Sequence, residues 1–254
     1  MKNTAEISQR LLRKGALAEE TYQVFSQWDL SQSMDANLLA SLEGAHGTAA
    51  WSNEVRLTLR RRFRNVEAAG SLIALAKQSL PFPEWRSCLL LWVCLHEPLF
   101  GDFVSEWLFE KYNRGVMALR TQDVLPYIKT YWKRRKSSDL SEYGAVRTSR
   151  DLLRMARDLS LMADEGASRV FARAHLSDRC FLYWAHVIAE REGSTSRVPS
   201  SAAWRYALLR PIDIEHELLR LHQFRQLRYE VAGSIVQLSL PCASSNEFAE
   251  RMAA

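Results

Sequence analysis

The run CLLLWVCL, residues 88–95, is the most apolar stretch of the chain and restricts what can be built around it. It is closed by His96, Glu97 and Pro98, and crossing a bilayer takes roughly 20 consecutive apolar residues. The run therefore reads as a buried helix, residues 84–95, not a membrane span. A chain of 254 residues that is 47% hydrophobic can enclose such a helix in a sizeable core. Its length suits two modest domains better than one, and disorder is excluded on the same ground.

Helical periodicity dominates the first half. It predicts helices at 7–12, closed by Gly15; at 19–27, with Tyr22, Val24, Phe25 and Trp28 placed to pack; at 34–43, ending at Gly44; and at 51–65. Further helices are expected at 71–79, stopping before Pro81 and Pro83, and at 84–95, 100–112 and 122–135. No repeat period or long linker interrupts them. The second half changes character. SRVFARAH, 168–175, is β-prone, 178–191 returns to helix, and GSTSRVPSS, 193–201, is the most loop-like stretch. A helix at 212–226 then precedes LRYEVAGSIVQLSL, two β-rich runs meeting at Ala232, Gly233 and Ser234. Helix followed by tight hairpin is a winged-helix ending. The expected fold is mainly α: an N-terminal helical bundle, 1–136, followed by a winged-helix-like α+β domain, 137–254, with a short β-hairpin. The helix that precedes SRVFARAH reads as a related unit, although no hairpin partner for that strand is evident.

That preceding helix, RTSRDLLRMARDLSLM, carries arginines at 147, 150, 154 and 157. A helix turns about 100° per residue, so steps of three, four and three keep all four on one stripe. Leu152, Met155, Ala156, Leu159 and Met162 fall on roughly the opposite side, the pattern of a helix seated on a core with a basic ridge outward. Thr148 or Ser149 offers an N-cap. Taken alone, the stripe also fits a solvated face paired to Asp151 and Asp158. Two further clusters corroborate it: Arg56, Arg60, Arg61, Arg62 and Arg64, and Lys133, Arg134, Arg135 and Lys136. With a net charge of +5 the chain favours anionic partners. Clustered Lys and Arg neutralise phosphates and release counterions, and arginine on a recognition helix can bridge guanine acceptors. An anionic partner such as double-stranded DNA would be contacted by Arg147, Arg150, Arg154 and Arg157, with Arg60, Arg61, Arg62 and Arg64 and the Lys133 to Lys136 cluster as further candidates. The 60–64 arginines are spread around their helix, so some must face elsewhere. Arg228, beside the final hairpin, is placed to touch backbone.

Catalytic patterns are missing. HELLR, 216–220, departs from the zinc motif HExxH at Arg220, and His222 falls off the required face. His186 and Glu190 are one turn apart, a spacing commoner in surface contacts than in metal sites. Asp102 and Glu106 share an i, i+4 spacing that marks the polar edge of a helix. There is no phosphate loop, dinucleotide fingerprint or nucleophile elbow, so no enzyme activity, metal or cofactor is expected. Cys88, Cys94, Cys180 and Cys242 lack metal-like spacing and read as buried free thiols, consistent with a cytoplasmic protein. Trp85, Trp92, Trp107 and Trp132 read as core; only YWKRRK, 131–136, interleaves aromatics and cations as a single-strand binder would.

The order of RLLRKGALAEETYQVF, PLFGDFVSEWLFEKYN, VLPYIKTYW, YGAVRTSRDLLRMARDLSLM and RYEVAGSIVQLSLP resembles the BrxA family, small accessory proteins of BREX bacteriophage-resistance systems. The resemblance runs loosely over most of the chain and rests on helical patterns; segments around 193–201 depart from it. It implies a mainly helical, non-enzymatic DNA-binding protein acting beside a methyltransferase and ATPases in phage exclusion, with other subunits of the system as partners. The family has carried an inner-membrane label, against which the short run at 88–95 argues. The alternative is a scaffold whose bundle docks an acidic partner enzyme, with DNA contact incidental.

Overall fold

In the computed structural model, which describes residues 7, 9–42, 48–233 and 235–252, the chain enters through a 3-10 turn, Leu12–Lys14, closed by Gly15 at φ 77°. Next come α1 (Ala18–Ser26), α2 (Met34–Leu42) and α3 (Ala49–Arg62). A second 3-10 turn, Val66–Ala69, leads to α4 (Gly70–Lys77) and α5 (Phe82–His96). The helix expected at 7–12 is thus a shorter, tighter turn set later in the chain. Part of that expectation, Ser8, lies outside the described residues, as do Glu43 and Gly44 at the end of the expected 34–43 helix.

α5 is the buried helix that its composition demands. Trp85 and every residue from Cys88 to Leu95 are inaccessible to solvent or nearly so, and α1, α4 and α10 (Asp178–Glu192), reached further along the chain, cover it. Pro83 sits in its first turn, where a missing N–H costs nothing. Pro98 ends it and begins α6 (Pro98–Asp102), which continues through a π-helical stretch, Phe103–Leu108, into α7 (Phe109–Asn113). The two segments are bent by 104°. A Cβ on Gly101 would lie 2.1 Å from the Cys94 carbonyl oxygen, so only glycine lets the second segment turn this closely over the first. Among the described residues no single helix is long and apolar enough to cross a membrane.

A short strand, β1 (Ala118–Leu119), separates α7 from α8 (Thr121–Lys136), and α9 (Glu142–Asp158) follows. β2 (Met162–Glu165) and β3 (Ser168–Phe171) form an antiparallel hairpin, and β1 joins on the far side of β3 to give the order β1-β3-β2. Asp164 faces Arg169 across the hairpin and Ala118 faces Val170. The partner that SRVFARAH lacked at the sequence level is therefore MADE, directly after the arginine helix. It escaped notice because only Met162 of its four residues is buried, leaving no alternation to detect.

α10 precedes two 3-10 stretches, Thr195–Ser200 and Ala202–Ala207. The first occupies the expected loop and is held by Val198, which is buried and whose carbonyl accepts the Trp204 indole N–H at 2.7 Å. α11 (Pro211–Gln223) leads into the antiparallel hairpin β4 (Arg228–Ala232) and β5 (Ile235–Ser239), and α12 (Ser245–Arg251) closes the chain against α4 and α10. The fold is mainly α with small antiparallel sheets, as the periodicity predicts. One apolar core runs from Leu12 to Ala249, and α8 packs on α9 across the 136/137 division.

Candidate nucleic-acid interface

α9 begins at Ser141, whose hydroxyl accepts the Gly144 N–H at 3.1 Å. Thr148 and Ser149, expected at the start, lie inside the helix and are buried. The turn YGAV extends the helix little more than one turn ahead of the arginines. As periodicity requires, Leu152, Met155, Ala156, Leu159 and Met162 are all buried, and the four arginines share the outer face.

The structure divides those four by what they touch. Arg154 donates to the carbonyls of Leu12 (3.0 Å) and Arg13 (2.5 Å) and lies 3.4 Å from Asp151. It thereby satisfies carbonyls of the entering 3-10 turn and ties that turn to α9. Arg157 is paired to Asp158 at 2.7 Å and Asp164 at 3.0 Å, linking α9 to β2. Asp158 also accepts the Ala16 N–H at 3.2 Å, an approach that glycine permits, since a Cβ on Gly15 would lie 2.3 Å from the carboxylate. Arg147 reaches Asp151 only at 4.0 Å, and Arg150 is exposed and forms no ion pair among the described residues. Asp151 itself is buried; burial raises its carboxyl above the usual range while Arg154, Arg150, Arg147 and Arg13 pull it back. The stripe is therefore structural in its C-terminal half and open in its N-terminal half.

The α3 cluster divides in the same way. Arg62 points into the core, where it pairs with Glu97 at 2.6 Å, both side chains 5% exposed or less. It also donates to the carbonyls of Ala16, Gly15 (3.1 Å) and Leu11 (3.2 Å). It is removed from the nucleic-acid candidates: on a helix, three consecutive arginines cannot share one face. Arg60 pairs with Asp35 at 3.2 Å and Arg56 donates to Asn53 at 3.0 Å. Arg61 and Arg64 remain exposed beside Met34 and Leu57.

Lys133, Arg134, Arg135 and Lys136 close α8, where cations complement the helix dipole. All four are exposed, but Arg134 pairs with Glu106 at 3.0 Å and Arg135 with Asp102. Tyr131, which is buried, donates to Asp102 at 2.9 Å. Asp102 and Glu106, considered as a carboxylate pair, thus hold α8 against the π-helical segment, and YWKRRK offers no open aromatic platform. Arg228 on β4 is exposed and pairs with Glu230 at 2.9 Å.

No group of His, Cys, Asp or Glu able to hold a metal occurs among the described residues. His186 and Glu190, read as a surface contact, are internal instead. His186 is buried, donates to the Leu182 carbonyl at 2.7 Å and accepts the Cys242 N–H at 3.3 Å, while Glu190 accepts the Ser245 N–H at 2.6 Å. Together they dock the segment that enters α12. Arg220, where the zinc pattern fails, bridges Asp178 and Glu217 at 2.5 and 2.7 Å. Cys88, Cys94 and Cys180 are buried free thiols; Cys242 is half-buried.

A family model described as BrxA matches residues 6–186, which takes in all three basic clusters and the β1-β3-β2 sheet and stops within α10. No curated protein and no solved structure matches the chain.

Proposed function

The chain belongs to the BrxA family, which ties it to BREX phage-defence systems, and on that premise we propose that it is a non-enzymatic accessory protein of such a system that binds double-stranded DNA through α9. The observation that carries this reading is the succession Pro98–Asn113, β1, α8, α9, β2, β3 with strand order β1-β3-β2. We read these three helical segments and their three-stranded antiparallel sheet as a winged helix, in which the last helix is the one offered to the major groove. In this chain that helix is α9. Recognition helices touch bases with their N-terminal residues, and the N-terminal half of α9 is where the arginines stay open.

On this reading Arg147 and Arg150 face the groove, and Arg154 and Arg157 hold the helix at its angle. Lys133, Lys136, Arg61 and Arg64 are candidate phosphate contacts. Asp164 is already paired with Arg157 and Arg169, but Glu165 beside it forms no ion pair among the described residues and repels phosphate, so the hairpin tip takes no backbone contact. The unit that reads DNA spans 98–171 and crosses the 136/137 division. Its place of action is the cytoplasm, where the DNA is, and other subunits of the system are its protein partners.

A second reading, a scaffold for a defence enzyme, is favoured by a different surface. α11 also precedes a hairpin, but its exposed side chains include Ile212 and Leu219, with Phe224 just beyond, and no arginine ridge. Fluorescence anisotropy on a mixed-sequence duplex across a salt series separates the two. Affinity that falls steeply with salt and is lost in Arg147→Glu/Arg150→Glu, with the circular dichroism unchanged, supports DNA binding. No binding by the wild type near physiological salt overturns it and leaves the scaffold.

A further inference from the structure

Attraction to a polyanion accounts for Arg147 and Arg150 but not for two other side chains on the same face of α9. Tyr143 is 74% exposed and Val146 40% exposed; neither belongs to the apolar core, and Tyr143 makes no ring contact among the described residues. At about 100° per residue, Tyr143, Val146, Arg147 and Arg150 fall within an arc of roughly 100° on the open half of α9. Along the axis they span about 10 Å, close to the height of three stacked base pairs. A purely electrostatic ridge has no use for an exposed aromatic ring and a β-branched side chain among its guanidinium groups. Valine lowers helix propensity at a surface position that alanine or lysine would serve better.

We infer that Tyr143 and Val146 give α9 base selectivity by packing on thymine C5-methyl groups in the major groove, while Arg147 and Arg150 take acceptors on the neighbouring bases. This rests on the proposed docking of α9. Among the four bases only thymine presents a methyl group in that groove, and guanine presents the paired acceptors that suit arginine. The combination reads thymine next to guanine and ignores positions lacking both. The two apolar side chains also explain why the ridge is not simply continued with lysine toward the helix start: a methyl group needs an apolar surface to displace its water.

The test compares one 40-base-pair mixed-sequence duplex in two forms, with thymine and with uracil at every thymine position, by anisotropy competition at fixed salt. Uracil keeps every hydrogen-bonding group and removes only the methyl. Burying one methyl corresponds to roughly a fourfold change in affinity, so the wild type is expected to prefer the thymine duplex by about fourfold or more. In Tyr143→Ala/Val146→Ala, which favours the helix and so preserves the fold, the ratio is expected to fall to near one with the salt dependence unchanged. Equal wild-type affinity for both duplexes overturns the inference while leaving salt-sensitive DNA binding in place. A preference that persists in the double variant also overturns it, because the methyl is then sensed through duplex shape. Tighter binding to the single strand than to either duplex overturns it in favour of ring stacking by Tyr143. No binding to any form is a failure of the DNA reading itself.

Discussion

At the scale of single residues, two buried polar side chains hold the ends of this chain in place. Arg62 joins the entering turn to the α5–α6 corner by donating to three main-chain carbonyls and pairing with Glu97, whose second oxygen has no partner among the described residues. Removing one member of such a pair leaves the other charge buried alone, which costs about 3–5 kcal/mol. Arg62→Met is therefore expected to lower stability in urea by that much, whereas Arg61→Met, at an exposed position next door, changes it by less than about 0.5 kcal/mol. His186 does the equivalent work at the other end. It is neutral in the fold, accepting the Cys242 N–H and stacked on Phe248. Burial lowers its pKa below the usual 6.5; the hydrogen bond to the Leu182 carbonyl and the charges of Glu190 and Glu247 offset this only in part. A depressed folded value means that protons favour the unfolded chain. Its contribution is complete above pH 6.5 and is lost as the pH falls through the folded value. Between pH 7.5 and 5 the Tm of the wild type is expected to drop further than that of His186→Gln, which keeps every other titrating group.

At the scale of elements, α9 is one amphipathic helix with two kinds of arginine. Arg154→Ala is expected to release the Leu12–Lys14 turn, seen as faster amide exchange of Gly15 and Ala16, with little direct effect on DNA affinity. Arg147→Ala and Arg150→Ala are expected to leave that exchange unchanged. Each should instead weaken duplex binding by about 1–3 kcal/mol, the cost of a lost base contact; if Arg154→Ala alone weakens it, the assignment of the two halves is reversed. The β2–β3 hairpin belongs with the helix in this test. Arg157 reaches Asp164 from α9 and Arg169 reaches it from β3, so one carboxylate fastens the hairpin to α9 and ties its two strands together.

At the scale of the whole molecule, the apolar core is continuous, and α12 packs on α4 of the first half and on α10 of the second. Urea unfolding followed by circular dichroism and by tryptophan fluorescence is accordingly expected to give one coincident transition; two separated transitions would show that the halves fold independently. The sequence by itself determined the helical character, the order of nearly all helices, the buried α5, the final hairpin and the inward and outward faces of α9. Each of these follows from local periodicity, propensity or a proline stop, which act over a few residues. Only the tertiary structure decided that Arg62 is internal, that Arg154 and Arg157 fasten other elements, that Asp102 and Glu106 neutralise Arg134 and Arg135, and that MADE is a strand. Those outcomes depend on partners 28 to 142 positions away for the ion pairs and carbonyl contacts of Arg134, Arg62 and Arg154, and on a ladder with β3 for a strand only four residues long. A charge looks the same in a sequence whether it faces water or a buried carboxylate; the fold alone brings the carboxylate to it.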